Sequence, residues 1–553
     1  MSNLLARREL LASFLGAPFL AAAGCSRSAP VLPPAGEIIG ASSSLGHRLR
    51  EGLKPVPTAD QWQRTGVVIV GGGIAGLSAA WRLLRAGVDD FVVLELEPQP
   101  GGTSRSGTSG AFAYPWGAHY LPVPFQENRA ILTLLDEMGF IEGRDDEGEP
   151  IVGEQFLSRD PQERVFFEGL WHEGLYRHEN AEPHDERQWA DFQAEIGRWA
   201  AWRDGRGRRA FVVPVAACSD DAEVIQFDRQ TMTDWLTERG FDSPKLRWLV
   251  DYACRDDYGL TVDQTSAWAG LFYFVSRVRK PGAEAQPLMT WPEGNGRLVA
   301  HLCDKARTQV KLGLAVSEVI PAAEGQDVGV DVVAVDREGR AAASYHAGHV
   351  IFAAPHFLAP YLIAGFRDAR GKAAAEFEYG SWMVANLFLK DRPVNRGFHP
   401  AWDNVLYDSP SLGYVAATHQ RGPEFGPTVW TYYYPLCDDN PRTAREKLLA
   451  HGWSQWAEVT LADLERAHPD LRPLVERLDV MRWGHAMIRP RPGFIWGDAR
   501  RDEARAFRGV HFAHCDLSGV ALFEEAFYHG LRAAEEILTE RGVPFESLVF
   551  DTG

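Results

Sequence analysis

TGVVIVGGGIAGLSAAWRLLRAG, at residues 65–87, gives the clearest indication of the fold of this protein. The run from Val67 to Val70 is short, apolar and entirely β-branched, which is typical of a buried parallel strand. The Ala- and Leu-rich segment from Ile74 to Arg85 has the pattern of a helix, and Phe91 to Leu94 is a second apolar run. Strand, glycine-rich turn, helix and strand in this order predict a βαβ unit of a parallel sheet.

Four residues of this unit suit the binding of a dinucleotide. Gly71 allows the tight turn after the first strand, Gly73 allows the backbone to approach a pyrophosphate, and Gly76 allows the helix and the strand to pack closely. The helix N-terminus offers unpaired N–H groups and a positive dipole end to phosphates. Glu95 is placed to accept a hydrogen bond from a ribose 2′-hydroxyl. The alternative, a glycine-rich turn without a nucleotide, is disfavoured by this full arrangement.

The overall composition is that of a globular protein. Of 553 residues, 45% are hydrophobic, 24% are charged and 11% are aromatic. The net charge of -18 argues against a nucleic-acid partner, because phosphate binding requires an excess of Lys and Arg, and it is compatible with a cationic substrate. The six cysteines form no CxxC pair and no Cys/His cluster with zinc spacing, so the sequence predicts no metal site.

The first 25 residues have the form of an export signal. A twin-arginine pair, Arg7-Arg8, precedes an apolar stretch that is too short to span a bilayer as a helix, which needs about 20 apolar residues. Ala22–Cys25 resembles a bacterial lipobox, which implies cleavage before Cys25 and lipidation of its thiol. We expect an exported, periplasmic or outer-membrane-anchored lipoprotein that touches the membrane only through this lipid. The alternative is an ordinary N-terminus with a chance cysteine.

The continuation of the βαβ unit, ELEPQPGGTSRSG at residues 95–107, resembles the flavin-containing amine oxidase superfamily. That superfamily also includes protoporphyrinogen oxidases and carotenoid desaturases. In it, the ribose-binding acid is followed six and seven residues later by a glycine pair, here Gly101 and Gly102. An arginine usually comes directly after the pair, whereas here Arg105 comes only after Thr-Ser. The resemblance implies FAD as the cofactor and makes Arg105 a shifted contact to a phosphate or to the flavin.

Further blocks extend the resemblance along the chain. YPWGAHYLPVP, at residues 114–124, resembles the segment beside the flavin, in which Gly117 and His119 match in position. KLGLAVSEVI has the form of the strand that leads to Val316, whose backbone would hold the adenine. In the closing motif, at residues 509–538, Asp516 would be the acid at the ribityl chain and Ala526 would lie on the following helix.

These separated blocks predict a mixed α/β protein with a Rossmann-like FAD-binding domain that is discontinuous in sequence. A substrate-binding domain is expected to be inserted between its pieces. The predicted order is signal 1–25, linker 26–60, FAD-binding part 61–150, substrate part 151–288, FAD-binding part 289–364, substrate part 365–480 and FAD-binding part 481–553.

Three aromatic residues are the candidates for the substrate side of the site. In amine oxidases a Trp-led segment before the closing motif reaches the flavin face, and here it contains Trp483 and His485. A neutral histidine there could accept a proton during oxidation, although a buried histidine satisfied by the backbone is the alternative. Tyr434 lies on an aromatic strand that either forms a substrate cage or is plain core, with Tyr433 on the strand's other face.

One acidic pair is open to two interpretations. Asp256 and Asp257 either attract a cationic amine or are solvated acids at a helix end, and the low energetic cost of surface charges favours the second interpretation.

The resemblance implies an FAD-dependent oxidoreductase that moves a hydride from a C–H bond of a small-molecule substrate to flavin N5. We expect an amine as the substrate, and O₂ or another acceptor to reoxidise the flavin. One alternative is a desaturase or dehydrogenase of a lipid-like or polycyclic substrate. Another is a non-catalytic flavin-binding lipoprotein.

Overall fold

The computed structural model describes residues 34–40, 42–110, 112–322, 329–438 and 440–549. The chain divides into two units, Met1–Pro34 and Ala35–Gly553, and only the second is described below. The predicted signal at residues 1–25, with its lipidated Cys25, lies outside the described residues and stays a prediction. Among the described helices, none combines the length and the apolar character needed to cross a membrane.

A seven-stranded sheet, here called the nucleotide sheet, is built on the predicted βαβ unit. Its strands come from three separated stretches of the chain: β2 (Trp62–Val70), β3 (Phe91–Glu95), β12 (Val310–Leu312), β13 (Ala315–Pro321), β14 (Val330–Val335), β15 (Ala341–Phe352) and β21 (Val510–Phe512). The order is β12-β3-β2-β15-β14-β13, and β21 pairs with β15. β12, β3, β2, β15 and β21 are parallel, and β13 to β15 are antiparallel. The order strand, helix, strand and the helix bounds Ile74–Arg85 are thereby confirmed, whereas β2 begins at Trp62, five residues before the predicted Val67.

A second sheet has eight strands. They are β1 (Ile38–Ile39), β9 (Glu163–Phe167), β10 (Leu170–Glu173), β16 (Tyr379–Leu389), β17 (Asp403–Leu406), β18 (Tyr414–Ala416), β19 (Thr428–Leu436) and β20 (Val475–Ile488). The order is β1-β20-β16-β19-β18-β17-β9-β10. The small pairs are β4 (Ser106–Ser109) with β5 (Phe112–Pro115), β6 (Tyr120–Pro122) with β11 (Leu288–Thr290), and β7 (Ile141–Arg144) with β8 (Pro150–Val152).

The helices are numbered in chain order. They are α1 (Ser43–Arg50), α2 (Ile74–Arg85), α3 (Arg129–Glu137), α4 (Pro183–Ala201), α5 (Ala222–Ile225), α6 (Met232–Glu238), α7 (Pro244–Tyr258), α8 (Ala267–Val275), α9 (Gly296–Lys305), α10 (Ala359–Leu362), α11 (Phe366–Ala374), α12 (Pro441–Ala450), α13 (Trp453–Leu464), α14 (Asp498–Glu503) and α15 (Phe523–Glu540). α2 and α15 pack closely, because Gly530 leaves room: a Cβ there would lie 2.2 Å from the Ala75 carbonyl oxygen. The closing helix is thereby held against the nucleotide unit.

Four of the predicted domain limits disagree with these elements, and two of them, at 150/151 and 288/289, fall inside β8 and β11. The predicted linker over 26–60 contains β1, which pairs in parallel with β20, and α1, which buries Leu45 and Leu49. Apolar side chains spaced four apart on a short helix give the segment a face to bury, so from Ile38 it is part of the folded body. The predicted limit at 480/481 falls inside β20, because one continuous strand carries the chain from the eight-stranded sheet to the cavity.

Candidate active site

A cavity of about 630 Å³ lies at the carboxyl ends of β2 and β3. Residues of the nucleotide sheet line one part of it, and side chains of β16, β19 and β20 line another. The carboxyl edge of a parallel sheet is where such folds bind their ligands, because strand ends, loops and helix N-termini meet there.

The turn between β2 and α2 leaves an open space for a ligand. Gly71 has a φ of 105°, a backbone conformation that L side chains rarely adopt. A Cβ on Gly76 would lie 1.9 Å from the Gly71 carbonyl oxygen, so this position must be glycine for helix and turn to pack. A Cβ on Gly73 would meet nothing within 4 Å, and no side chain caps the helix there. The first amides of α2 therefore face space that a phosphate fits.

Glu95 lines the cavity at the end of β3. Its carboxylate accepts hydrogen bonds from the amides of Gly72 and Glu97, each at 2.7 Å. Burial raises the pKa of this carboxyl, and the two amides act in the opposite direction. The acid is therefore held rigidly beside the turn, at the edge of the space that a ribose would take.

The glycine pair brings a second loop against the turn. Gly101 and Gly102 have φ values of 114° and 56°, and the Gly101 amide donates to the Gly72 carbonyl at 2.8 Å. Gly117 lies against the same loop, where a Cβ would come within 2.3 Å of the Thr103 carbonyl oxygen. All three glycines line the cavity. They allow main chain, without side chains, to form this part of its surface.

The prediction that Arg105 contacts a phosphate or the flavin is not supported by its position. Arg105 is buried but does not line the cavity. Its guanidinium lies 3.8 Å from Glu97 and 5.2 Å from the centre of the Trp483 ring. A 3₁₀ turn over Gly102–Ser104 carries the chain away from the cavity before Arg105, so this side chain supports the wall from behind.

Val316 and Ala526, predicted beside the adenine and on the closing helix, both line the cavity. Val316 is on β13 and Ala526 is in the first turn of α15. The helix N-terminus that carries Ala526 therefore meets the same cavity as the turn before α2.

The predicted ribityl acid, Asp516, does not line the cavity. β21 leads directly to His514 and Cys515, which do line it, and Asp516 is buried beyond them. Asp516 accepts hydrogen bonds from the Tyr379 hydroxyl at 2.6 Å and the His356 amide at 3.0 Å, and its Oδ1 lies 2.9 Å from His514 Nδ1. Burial opposes a charge on His514, but the Asp516 carboxylate raises the pKa of His514 well above its ordinary value. The acid thus acts by placing a cationic imidazole at the cavity.

Trp483 and His485, two predicted catalytic candidates, line the cavity on β20. The Trp483 indole donates to the Trp116 carbonyl at 2.8 Å. His485 is stacked on Phe357 at 4.0 Å between ring centres. Burial, with the nearby cations Arg445 and Arg50, lowers the pKa of His485 to about 3. This histidine is neutral near pH 7 but too weak a base to keep a proton.

The third candidate, Tyr434, lies on the opposite face of β19 from the cavity. It packs against Tyr432 and Trp456, with ring centres 6.4 and 6.0 Å away. Tyr433 lines the cavity instead, stacked on His119 at 4.8 Å and donating to the Gly117 carbonyl at 2.8 Å. The strand alternation was predicted, but which face meets the cavity depends on the neighbouring strands and helices.

Four ionisable residues, here called the acidic wall, line another part of the cavity: Asp256, Asp257, Arg277 and Glu524. The Arg277 guanidinium contacts both oxygens of Asp257 at 3.0 and 3.1 Å. Among the described residues, neither Asp256 nor Glu524 forms a salt bridge or a side-chain hydrogen bond with another residue. Three carboxyl groups therefore face the cavity with one guanidinium. The interpretation of the aspartate pair as solvated acids is wrong, because Asp257 is buried.

Burial gives the unpaired carboxyls unusual proton affinities. It raises the pKa of Asp256 to about 7, together with the charge of Asp257, and it raises the pKa of Glu524 to about 7. Glu163, close to Asp256, has its pKa raised to about 7 for the same reason. The sequence offered one usable indication, an acidic pair near the end of a helix. Arg277 and Glu524 come from other helices or their ends, so only the folded chain assembles the set.

A second group of residues, with one imidazole and three guanidinium side chains and here called the basic wall, also lines the cavity: His47, Arg50, Arg445 and Arg482. His47 and Arg50 are exposed residues of α1, and Arg445 and Arg482 are half-buried. The N-cap of α1, Ser42, donates its amide to Glu97 at 2.6 Å, which fixes the helix beside the nucleotide turn. The predicted linker over residues 26–60 left out His47 and Arg50, and Arg445 and Arg482 join them from α12 and β20, which are distant in sequence.

Comparison with known proteins identifies the arrangement. The family model described as flavin containing amine oxidoreductase matches residues 74–538. No curated protein sequence matches the chain. The residues at the cavity are suited to hold FAD, since the open turn at Gly73 leaves room for its diphosphate and Glu95 is placed to bind a ribose.

Solved structures of the same fold cover most of the chain. Wild-type putrescine oxidase bound to putrescine has a TM-score of 0.61 at 15% identity, covering 86% of this chain and 100% of that chain. Cyclohexylamine oxidase from Brevibacterium oxydans IH-35A has a TM-score of 0.59 at 15% identity, covering 87% and 100%. A putative protoporphyrinogen oxidase from Exiguobacterium sp. 255-15 has a TM-score of 0.57 at 16% identity, covering 87% and 100%.

Proposed function

We propose that this chain, which belongs to the flavin containing amine oxidoreductase family, oxidises a cationic amine, and that O₂ or another acceptor reoxidises its flavin. Family membership makes the chain an FAD-dependent oxidoreductase. The amine and the acceptor are the proposed part.

The acidic wall is the observation that carries this proposal. Three carboxyl groups with one guanidinium leave negative charge inside a cavity, where an unpaired carboxylate is costly. An ammonium group offsets that charge, whereas a neutral or anionic group does not. Asp256 has no protein partner among the described residues, so we assign it to contact the ammonium.

The remaining walls suit the carbon part of an amine. Tyr433, Trp382 and Phe272 line the cavity with large apolar or aromatic surfaces, which exclude water and orient a hydrocarbon chain. When bound, the flavin would be the acceptor for a hydride from the carbon next to the amine nitrogen.

A proton must also leave the substrate, because an ammonium nitrogen has no lone pair to assist the loss of a hydride. Asp256, with a pKa of about 7, suits the acceptance of that proton near neutral pH. His485, with a pKa of about 3, does not. We therefore assign the proton to the carboxylate and the role of lining the cavity to the histidine.

The names of two proteins with this fold, putrescine oxidase and cyclohexylamine oxidase, indicate amine substrates, and this agrees with the proposal. At 15% identity they show only a shared fold, so the substrate rests on the acidic wall.

Anaerobic mixing of the FAD-loaded chain with a substrate panel tests the proposal. Mono- and diamines are expected to bleach the flavin band at about 450 nm, and the matching alcohols, which have the same carbon chain without the charge, are not. Release of peroxide in air would identify O₂ as the acceptor. Bleaching by the alcohols or by neutral lipids, with no response to any amine, contradicts the proposal.

A second candidate is the dehydrogenation of a lipid-like or polycyclic substrate. It is favoured by the apolar residues elsewhere in the cavity, among them Phe125, Val213 and Leu412. Under this candidate, an isoprenoid or fatty acid bleaches the flavin, and Asp256→Asn leaves that reaction unchanged.

A further inference from the structure

Three side chains that are distant in sequence lie close together outside the cavity. His349 is on β15, His511 is on the neighbouring strand β21, and Glu540 is the last residue of α15. His349 Nδ1 lies 3.3 Å from Glu540 Oε2, and His511 Nε2 lies 3.5 Å from the same oxygen. One ligand atom from each residue lies within 4.8 Å of the other two.

In each histidine of this cluster, the ring nitrogen that faces Glu540 lacks a hydrogen-bond partner among the described residues. His349 Nδ1 and His511 Nε2 are each shielded from solvent and make no hydrogen bond. The His511 side chain is 1% exposed, so water cannot readily replace a partner there. A buried nitrogen without a partner is costly, and a metal ion is a partner that satisfies two such nitrogens and a carboxylate together.

The other nitrogen of His511 is already engaged. His511 Nδ1 lies 2.8 Å from Glu536 Oε2, and Glu536 is also paired with Arg532. A carboxylate that accepts Nδ1–H fixes the ring tautomer, so that Nε2 carries the lone pair towards Glu540. Histidines that bind metals almost always donate their other ring N–H to a second group, and a carboxylate is one of the common ones.

We propose that His349 Nδ1, His511 Nε2 and a Glu540 oxygen bind one Zn²⁺ ion. Zinc bonds of about 2.0–2.1 Å in a tetrahedron separate neighbouring ligand atoms by roughly 3.3–3.4 Å, close to the two observed separations. Two imidazoles with one carboxylate suit zinc, whereas Ca²⁺ and Mg²⁺ prefer oxygen ligands alone. The Glu540 side chain is 50% exposed, which leaves the fourth position to water.

The site would tie two strands of the nucleotide sheet to the end of the closing helix. None of its ligands lines the cavity, so we assign it a structural role without part in the oxidation. The charge balance permits a cation: Glu536 and Glu540 face the cluster, Arg532 is paired with Glu536, and Arg541 also acts on His349.

Zinc titration of the FAD-loaded full chain, first treated with a chelator and dialysed, tests this inference. Calorimetry is expected to show one saturable Zn²⁺ per chain, with a zinc-dependent rise in Tm that Mg²⁺ does not produce. His349→Gln and Glu540→Gln, both at partly exposed positions, should remove the saturable binding and the rise in Tm. Glu536→Gln should weaken binding about 10–100-fold. The flavin spectrum should stay unchanged in all three.

His346→Gln is the matched control. His346 lies on the same strand, is exposed, and pairs with Asp331 at 2.7 Å, away from the cluster. It should bind zinc like the wild type, and X-ray absorption at the zinc edge should report nitrogen and oxygen neighbours at about 2.0–2.1 Å. The inference is overturned if the wild type shows no saturable binding, if the two ligand variants bind zinc as tightly as the wild type, or if the control loses it.

Discussion

The acidic wall and the basic wall line one cavity, yet they differ in how far their charges are removed from water. In the acidic wall, Asp257 and Glu524 are buried and Arg277 is the single cation. In the basic wall, His47 and Arg50 are exposed and no carboxylate of the cavity faces them in an ion pair. A desolvated charge interacts strongly over a short range, whereas an exposed charge is screened by solvent and salt.

This difference assigns the two walls different tasks. A buried surplus of carboxyls discriminates between substrates, because only a cation offsets the cost of burying them. The exposed guanidinium of Arg50 beside the nucleotide turn would attract an anionic dinucleotide but contribute little to its retention.

Asp256→Asn is expected to have the largest effect. It removes the carboxylate assigned to the ammonium, and the loss of one partner of a buried charge pair costs about 3–5 kcal/mol, which corresponds to a ~10²–10⁴-fold fall in kcat/KM for amines. FAD content should stay the same. Steady-state kinetics with a flavin assay measures both, and Asp263→Asn, an exposed acid after α7, is the control. Equal activity of the two variants would remove the acidic wall from the mechanism.

The pH dependence should follow the acidic wall. Asp256 and Glu524 have pKa values of about 7, so kcat/KM for an amine should rise up to about tenfold per unit below pH 7 and then level off. Asp256→Asn should flatten part of this rise. A profile that is flat between pH 5 and 8 in the wild type contradicts the assignment.

The same groups should make the fold less stable as pH rises. Their folded pKa lies above the unfolded value of about 4, so between about pH 4 and 7 the folded chain binds more protons than the unfolded chain. The stability that they contribute is complete below about pH 4 and is lost as pH rises through 7. Denaturant unfolding at several pH values measures this loss, which should be smaller in Glu524→Gln.

Variants of the basic wall should have a smaller effect. Arg50→Gln, which removes an exposed cation, is expected to weaken FAD binding about 3–10-fold at low salt and less at high salt. Amine specificity should not change. Release of FAD, followed by fluorescence, measures it against Arg48→Gln, an exposed arginine on the same helix that does not line the cavity. A loss of FAD affinity that is equal at low and high salt would indicate a packing role for Arg50.

His485→Gln should leave the pH profile unchanged. With a pKa of about 3, His485 has no proton to exchange between pH 5 and 8, so only its packing on Phe357 changes. If the variant shifts the rise of kcat/KM near pH 7, His485 takes part in accepting the proton and the assignment is wrong.

The sequence alone determined the nucleotide unit, because its information is local. The strand, turn and helix of residues 67–85 follow from β-branched residues, glycines and a helical pattern within one stretch, and the structure shows steric reasons for two of those glycines at 71 and 76. The family resemblance had the same origin, since its motifs are short and contiguous. Those motifs contain Glu95, the glycine pair and Gly117, and all four residues line the cavity as predicted.

Which side chains face the cavity, and which charged groups lie close together, depends on the packing of the whole chain. Tyr433 lines the cavity and Tyr434 does not, because different elements pack against the two faces of β19. Cys515 lines it and Asp516 does not, because Asp516 is bonded to Tyr379 and His356, which are far away in sequence. The acidic wall and the proposed zinc ligands likewise come from elements distant in sequence. Burial and pairing are properties of the packed chain, so no single stretch of residues carries them.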